Sequence, residues 1–208
     1  MAWLVIGCIE TFRYVLQVRQ NFSKARKFAK RLSEVNQLLL DEKDKLENQA
    51  KHDELTNCLN RHGLNDLLGK LQNELMGKGQ YAAVILLDID FFKKINDNFG
   101  HDKGDKVLVE VAKILASNIR RSDYIVRWGG EEFVVLCLDT RLTDAIALAD
   151  KLRQAIQAES IIAGQPPITC SFGVAALKHG NFVQCFAEAD SALYQAKQQG
   201  RNRVISAG

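Results

Sequence analysis

Proline is almost absent: the 208 residues contain two, adjacent at Pro166 and Pro167. Residues 15–50 hold neither proline nor glycine, so nothing in that stretch breaks a helix. The five cysteines (Cys8, Cys58, Cys137, Cys170, Cys185) form no Cys-x-x-Cys and no His–Cys ligand spacing. That scatter argues against structural zinc and suits a reducing cytoplasm. Cys137 and Cys170 sit in apolar runs and read as small core residues. The net charge of +3 is too small to argue for a nucleic-acid partner. The apolar run 2–9 stops at Glu10, short of the ~20 residues a spanning helix needs. It also lacks the basic start and small-residue cleavage site of a signal peptide. Two readings stay open for it, the last turns of a longer membrane helix or the apolar start of a helix.

What is present is the length and composition of an ordinary domain plus an extension. Over 15–50 the apolar residues recur at spacings of three and four. With Val15, Phe22, Ala29, Asn36, Lys43 and Ala50 at heptad position a, Val18, Ala25, Leu32, Leu39 and Leu46 fall at d. Leucine at d with polar Asn36 and Lys43 at a favours a parallel two-stranded coil and fixes its register. A single amphipathic helix packed on its own domain is the alternative. Between Thr11 and Leu32 there are seven Lys or Arg and no acid. That is a solvated helix face or, on the sharper reading, a segment beside a membrane or an anionic partner.

The stretch 51–61 breaks the heptad and reads as a junction, so residues 1–50 and 51–208 are expected to be separate domains. Residues 61–76 return to helical spacing and run into Gly77 and Gly79. Residues 81–90 are a near-continuous apolar run ending in Asp88 and Asp90, as in a strand covered on both sides. The two aspartates are expected on opposite faces, one toward a site and the other capping the next turn. A polar stretch follows over 91–105, then an amphipathic helix over 107–119 closed by 120–123. Later come a helix over 143–156, a strand over 168–177, a helix over 182–199 stopped by Gly200, and a short strand over 201–205. The order implies an α+β fold, helices on a mostly antiparallel sheet.

Between residues 119 and 143 lies a hairpin with strands at 124–128 and 133–138, joined by Gly129-Gly130-Glu131-Glu132. Glycine tolerates the positive φ of a tight turn. Adjacent glutamates repel, so a purely structural turn would more cheaply carry Asn or Ser. Paired carboxylates beside bare backbone fit the close approach of a metal-bound phosphate. An ordinary solvated hairpin remains the alternative on these residues alone. A strand ending in Asp88 can lie beside the hairpin, bringing Asp88 next to Glu131 and Glu132. Such clusters bind Mg²⁺ for phosphoryl or nucleotidyl transfer.

Four segments together resemble the GGDEF domain of bacterial diguanylate cyclases, in its GGEEF form. They are DELTNCLNR at 53–61, DIDFFKKINDNFGHDKGD at 88–105, RWGGEEF at 127–133 and ALYQAKQQGRNRV at 192–204. They stand in the family's order and span roughly three quarters of the chain. The resemblance implies a palm-like nucleotide-cyclase domain, which the heptads of residues 15–50 place behind a coiled-coil helix. It implies that two GTP condense to cyclic di-GMP and two pyrophosphates in a homodimer. It assigns Asp88, Glu131 and the backbone carbonyl of Ile89 to Mg²⁺, with Mn²⁺ as a substitute, and makes Glu131 or Glu132 the catalytic base. Asn96 and Asp105 match the guanine-reading pair: the carboxylate accepts from N1–H and the 2-amino group, donors that adenine lacks. His101 matches a further substrate contact, and Gly129 and Gly130 let the turn lie against the nucleotide. Phe91, Phe92, Lys93, Lys197 and Arg201 match the grip on the terminal phosphates. Arg120 and Asp123 match a product-inhibition motif, RxxD, nine residues before the Gly-Gly pair. A helix cap explains the arginine but not an aspartate at that spacing. The catalytic domain is expected in the cytoplasm, tethered to the inner membrane if further sequence precedes it. A catalytically silent receptor for GTP or cyclic di-GMP is the alternative, as is another palm-type enzyme.

Overall fold

The computed structural model describes residues 2–75, 81–162, 164–178 and 181–208. The chain divides into two compact units, 1–48 and 49–208. The first is most of a single helix, α1 (Ala2–Lys51). Its expected seam residues Phe22, Leu32, Leu39 and Leu46 are all exposed. No helix among the described residues is long and apolar enough to cross a membrane.

The second unit runs α2 (Arg61–Leu75), β1 (Ala82–Ile89), α3 (Phe92–Phe99), α4 (His101–Asn118), β2 (Tyr124–Arg127) and β3 (Glu132–Leu138). It continues through α5 (Leu142–Ala158), β4 (Cys170–Ala176), α6 (Phe182–Gln198) and β5 (Val204–Ser206). The five strands lie in the order β2-β3-β1-β4-β5, antiparallel except for the β4–β5 pair. The mostly antiparallel sheet is as expected.

β1 is central, and alternation along it assigns each residue to one face. Ala83, Ile85, Leu87 and Ile89 pack with the apolar faces of α4 and α5, including Val107, Val111, Leu115, Leu152 and Ile156. Ala82, Val84 and Leu86 pack on the other side with Leu64 of α2 and Ala189 and Leu193 of α6. This explains a strand without visible polar alternation: both faces are covered. Burying each large aliphatic side chain contributes about 1.5–3 kcal/mol. α6 sits especially close, because a Cβ on Gly173 of β4 would lie 2.0 Å from the Ala189 carbonyl.

Several boundaries differ from the sequence reading for identifiable reasons. The polar stretch after β1 is helical: Phe92 and Ile95, three apart, bury one side of α3. Gly100, at φ 81°, separates it from α4, which therefore starts at His101. The last strand begins at Val204, because Arg201 and Asn202 take left-handed φ values of 61° and 45°. The glycine stop expected at Gly77 and Gly79 lies outside the described residues.

Candidate active site

The parity of β1 sends Asp88 to the α2/α6 face, at the strand end nearest the hairpin turn. Its register partner on β3 is Glu132, and on β4 it is Ser171. The Ile89 amide donates to the Glu131 carbonyl at 3.3 Å, which ties the turn to the end of β1. Lys197, in the last turn of α6, reaches across to Asp88 Oδ2 at 2.8 Å. Asp88, Glu131, Glu132 and Lys197 thus meet where three elements converge.

The electrostatics follow from crowding. Burial pushes the Asp88 carboxyl above its ordinary value; Glu132 and Asp90 add repulsion, and Lys197 opposes the rise. Glu131 is likewise pushed up by burial and by the Asp88 charge. Carboxylates that destabilise each other's charge this way suit a hard divalent cation, which relieves both. Among the described residues no three His, Cys, Asp or Glu side chains form a ready cage. A cation held by Asp88 and Glu131 would need further oxygens, from backbone or from a bound phosphate, to complete its coordination.

Two expectations about this region are corrected. Neither Gly129 nor Gly130 has a positive φ. Gly129 is needed for space, since a Cβ there would come within 2.6 Å of Glu132 Oε2, while Gly130 faces open space with nothing within 4 Å. Asp88 and Asp90 also do not diverge to opposite faces. Residues two apart on a strand share a face, and Ser171, directly across from Asp88, donates its hydroxyl to Asp90 Oδ1 at 2.7 Å.

The hairpin turn is held from behind. Arg127 donates to both Asp53 oxygens at 2.9 and 3.0 Å and to the Gly130 carbonyl at 2.8 Å. Arg61 donates to the Trp128 carbonyl and stacks on the Trp128 ring, whose other neighbour is Phe186 of α6. Asp53 also accepts from the amide and hydroxyl of Thr56. Burial would raise its carboxyl, but these bonds and Arg127 hold it below the ordinary value. Sequence reading missed Asp53, Arg61 and Arg127 as supports of the turn. Their signal was only the co-occurrence of charged residues in two distant motifs.

Asn96 lies on α3 with its Oδ1 buried and without a hydrogen-bond partner. A Cβ on Gly104 of α4 would lie 1.9 Å from that oxygen, so the glycine leaves room for the amide. An orphaned buried acceptor is costly unless a ligand satisfies it. His101 and Asp105 are exposed at the start of α4, on the chain segment that carries Gly104. Phe92 is buried in the core, whereas Phe91 and Lys93 are exposed. Two cations contact the Phe91 ring, Arg201 at 4.5 Å and Lys94 at 4.7 Å from its centre.

Arg120 and Arg121 are exposed, and Asp123 is buried in the turn after α4. Asp123 accepts from the Arg120 amide at 3.1 Å and from the Leu138 amide at 3.3 Å. The aspartate's spacing therefore has a structural cause after all: it closes the turn and ties it to β3. Beside it is a groove of about 410 Å³ whose lining includes Arg120, Arg121 and Lys113 together with apolar Leu59, Ala116 and Ile119.

These features define a class. A family model described as "Diguanylate cyclase, GGDEF domain" matches residues 50–203, and the chain belongs to that family. It is 41% identical over 165 residues to diguanylate cyclase DgcM of Escherichia coli, covering 79% of this chain and 40% of that protein. It is 42% identical over 162 residues to response regulator PleD of Caulobacter vibrioides, covering 75% of this chain and 36% of PleD. The chain thus spans well under half the length of these curated relatives. Among solved structures, the coiled coil and GGDEF domain of DgcB from Caulobacter crescentus, in complex with c-di-GMP, matches with TM-score 0.79 and 29% identity. That match covers 89% of this chain and all of the other.

Proposed function

We propose that this chain is a diguanylate cyclase that joins two GTP into cyclic di-GMP with release of two pyrophosphates. The observation that carries the proposal is the convergence of Asp88, Glu131 and Glu132 on the face reached by Lys197. Asp88, Glu131 and the Ile89 carbonyl would hold Mg²⁺, or Mn²⁺ in its place. The bound cation would neutralise the triphosphate and lower the pKa of the attacking 3′-hydroxyl.

The chain's own groups account for the rest. Asn96, with its unsatisfied oxygen, and Asp105 read the guanine edge, and His101 adds a contact. Gly130 leaves the turn open to the nucleotide. Lys197 and Arg201, with the 91–93 loop, grip the β- and γ-phosphates. Glu131 or Glu132 takes the 3′-hydroxyl proton, both lying beside Asp88 at the end of β1.

One site holds one GTP, so the second nucleotide comes from a second copy. The exposed heptad leucines of α1 support a parallel coil that pairs two chains. The groove beside Arg120 and Arg121 supports product inhibition there, with the Asp123-closed turn presenting the arginine. The test is a GTP and Mg²⁺ incubation over a protein dilution series, with the product identified by mass. Cyclic di-GMP is expected, at a specific activity that falls on dilution. No cyclic dinucleotide from protein stripped of bound product would sink the cyclase reading.

A further inference from the structure

Asp90 lies beside the carboxylate cluster but is not among its proposed cation ligands; it is 5% exposed and its carboxylate is fully engaged. Oδ1 accepts from the Ser171 hydroxyl at 2.7 Å; Oδ2 accepts from the Thr169 hydroxyl at 2.7 Å and from the Asn202 amide at 3.1 Å. Its own amide donates to the Thr169 carbonyl at 2.9 Å. No cation pairs with it directly among the described residues. Arg153 donates to Asn202 Oδ1 at 3.1 Å. A buried carboxylate satisfied by neutral donors holds those donors firmly, because losing one leaves charge uncompensated.

What it holds is the turn after α6. Gly200, Arg201 and Asn202 follow one another at φ 111°, 61° and 45°. Non-glycine residues keep such values only where surrounding contacts over-determine them. The Asn202 amide on Asp90 is one such contact. Two others are the Arg201 amide on the Ala196 carbonyl, 3.0 Å, and Phe172 on the Arg203 carbonyl, 2.9 Å. Phe91, the next residue after Asp90, is itself at φ 58° and is the ring beneath the Arg201 guanidinium. One carboxylate therefore sets both members of the Arg201–Phe91 stack, one through the chain and one through Asn202.

We infer that Asp90 is a positioning residue that aims Arg201, stacked on Phe91, at the terminal phosphates of a nucleoside triphosphate. This rests on the GTP-binding reading above and adds a residue to it. On this geometry Asp90 holds the terminal-phosphate grip through the Arg201–Phe91 stack, and its loss falls on GTP more than on a nucleotide without those phosphates.

The experiment titrates GTP and GMP into wild type, Asp90→Ala, Asp90→Asn, Arg201→Ala and the Asp90→Ala/Arg201→Ala double variant. Asp90→Ala should weaken GTP about tenfold, as loss of one charge-assisted contact does, and leave GMP within about twofold. Asp90→Asn should recover most of that loss, since its single oxygen can still accept from Asn202. In the Arg201→Ala background the Asp90→Ala change should cost nothing further. Thr169→Val, expected to weaken GTP about threefold, serves if Asp90→Ala does not fold. Equal losses for GTP and GMP, additive effects with Arg201→Ala, or unchanged GTP affinity would overturn the inference. A wild type that binds neither nucleotide would instead sink the GTP reading itself.

Discussion

Two turns flank the site, and they solve opposite problems. The hairpin turn at 128–132 carries two glycines, yet neither needs a left-handed φ; what the turn needs is room. The turn at 199–203 carries Arg201 and Asn202 in left-handed conformations and is held there by a buried carboxylate. In one, glycine clears space for Glu132 and leaves the turn open at Gly130. In the other, a side chain indispensable to the proposed grip, Arg201, occupies a backbone shape that glycine would adopt more cheaply. Glycine in a motif therefore does not by itself mark conformational strain, and its absence does not exclude it.

The hairpin turn should yield the largest effect. Glu131→Ala removes a carboxylate that burial and Asp88 hold under electrostatic stress. It should cut cyclic di-GMP formation on the order of 100-fold or more while leaving the unfolding temperature level or raised. A rate near wild type would remove Glu131 from the site. The room-versus-shape distinction is sharpened by paired glycine substitutions. Gly130→Ala meets no protein atom and no positive φ, so the free protein should unfold as wild type does. Its GTP affinity should nevertheless fall about tenfold, because the added methyl fills space that the proposed nucleotide site uses. Gly129→Ala should instead act through Glu132, lowering the rate more than the affinity. If Gly130→Ala destabilised the free protein, the turn would be conformationally strained and the contrast would fail.

Much of this was legible in the sequence because it rests on periodicity and on local chemistry. The unbroken apolar run of β1 gave away a strand covered on both sides, and parity along it fixes where Asp88 must point. The carboxylate turn beside it followed from strand order. Less legible was anything depending on which polar groups find each other across the fold. Asp90 and Ser171 are 81 residues apart, and Arg127 and Asp53 are 74 apart. Nothing local distinguishes such partners from solvated charges. α3 was hidden because only Phe92 and Ile95 mark its buried side within a strongly polar segment. The structural duty of Asp123 was hidden similarly, since its partners are backbone amides, one of them on β3.

The smallest predicted effect concerns what stands behind the hairpin turn. Asp53 receives Arg127, which in turn donates to the Gly130 carbonyl, so the charge at 53 supports the turn without touching the site. Asp53→Asn leaves Arg127 half-buried without its counter-ion and should cost about 1–3 kcal/mol at neutral pH. The pH dependence separates this from a packing defect. Although burial opposes it, bonding to Thr56 and Arg127 holds the folded-state carboxyl below its unfolded value of 3.8. The native chain binds fewer protons at this group than the unfolded chain, so the stabilisation is present above the unfolded value. It is lost as pH falls through the lower folded one. Chemical denaturation of wild type and Asp53→Asn should therefore show a gap that is constant from pH 7 to pH 5 and narrows below about pH 4. A gap that persisted undiminished into acid would mean that Asp53 holds the turn by shape alone. The hairpin would then lack the charge-based support that the turn at 199–203 receives from Asp90.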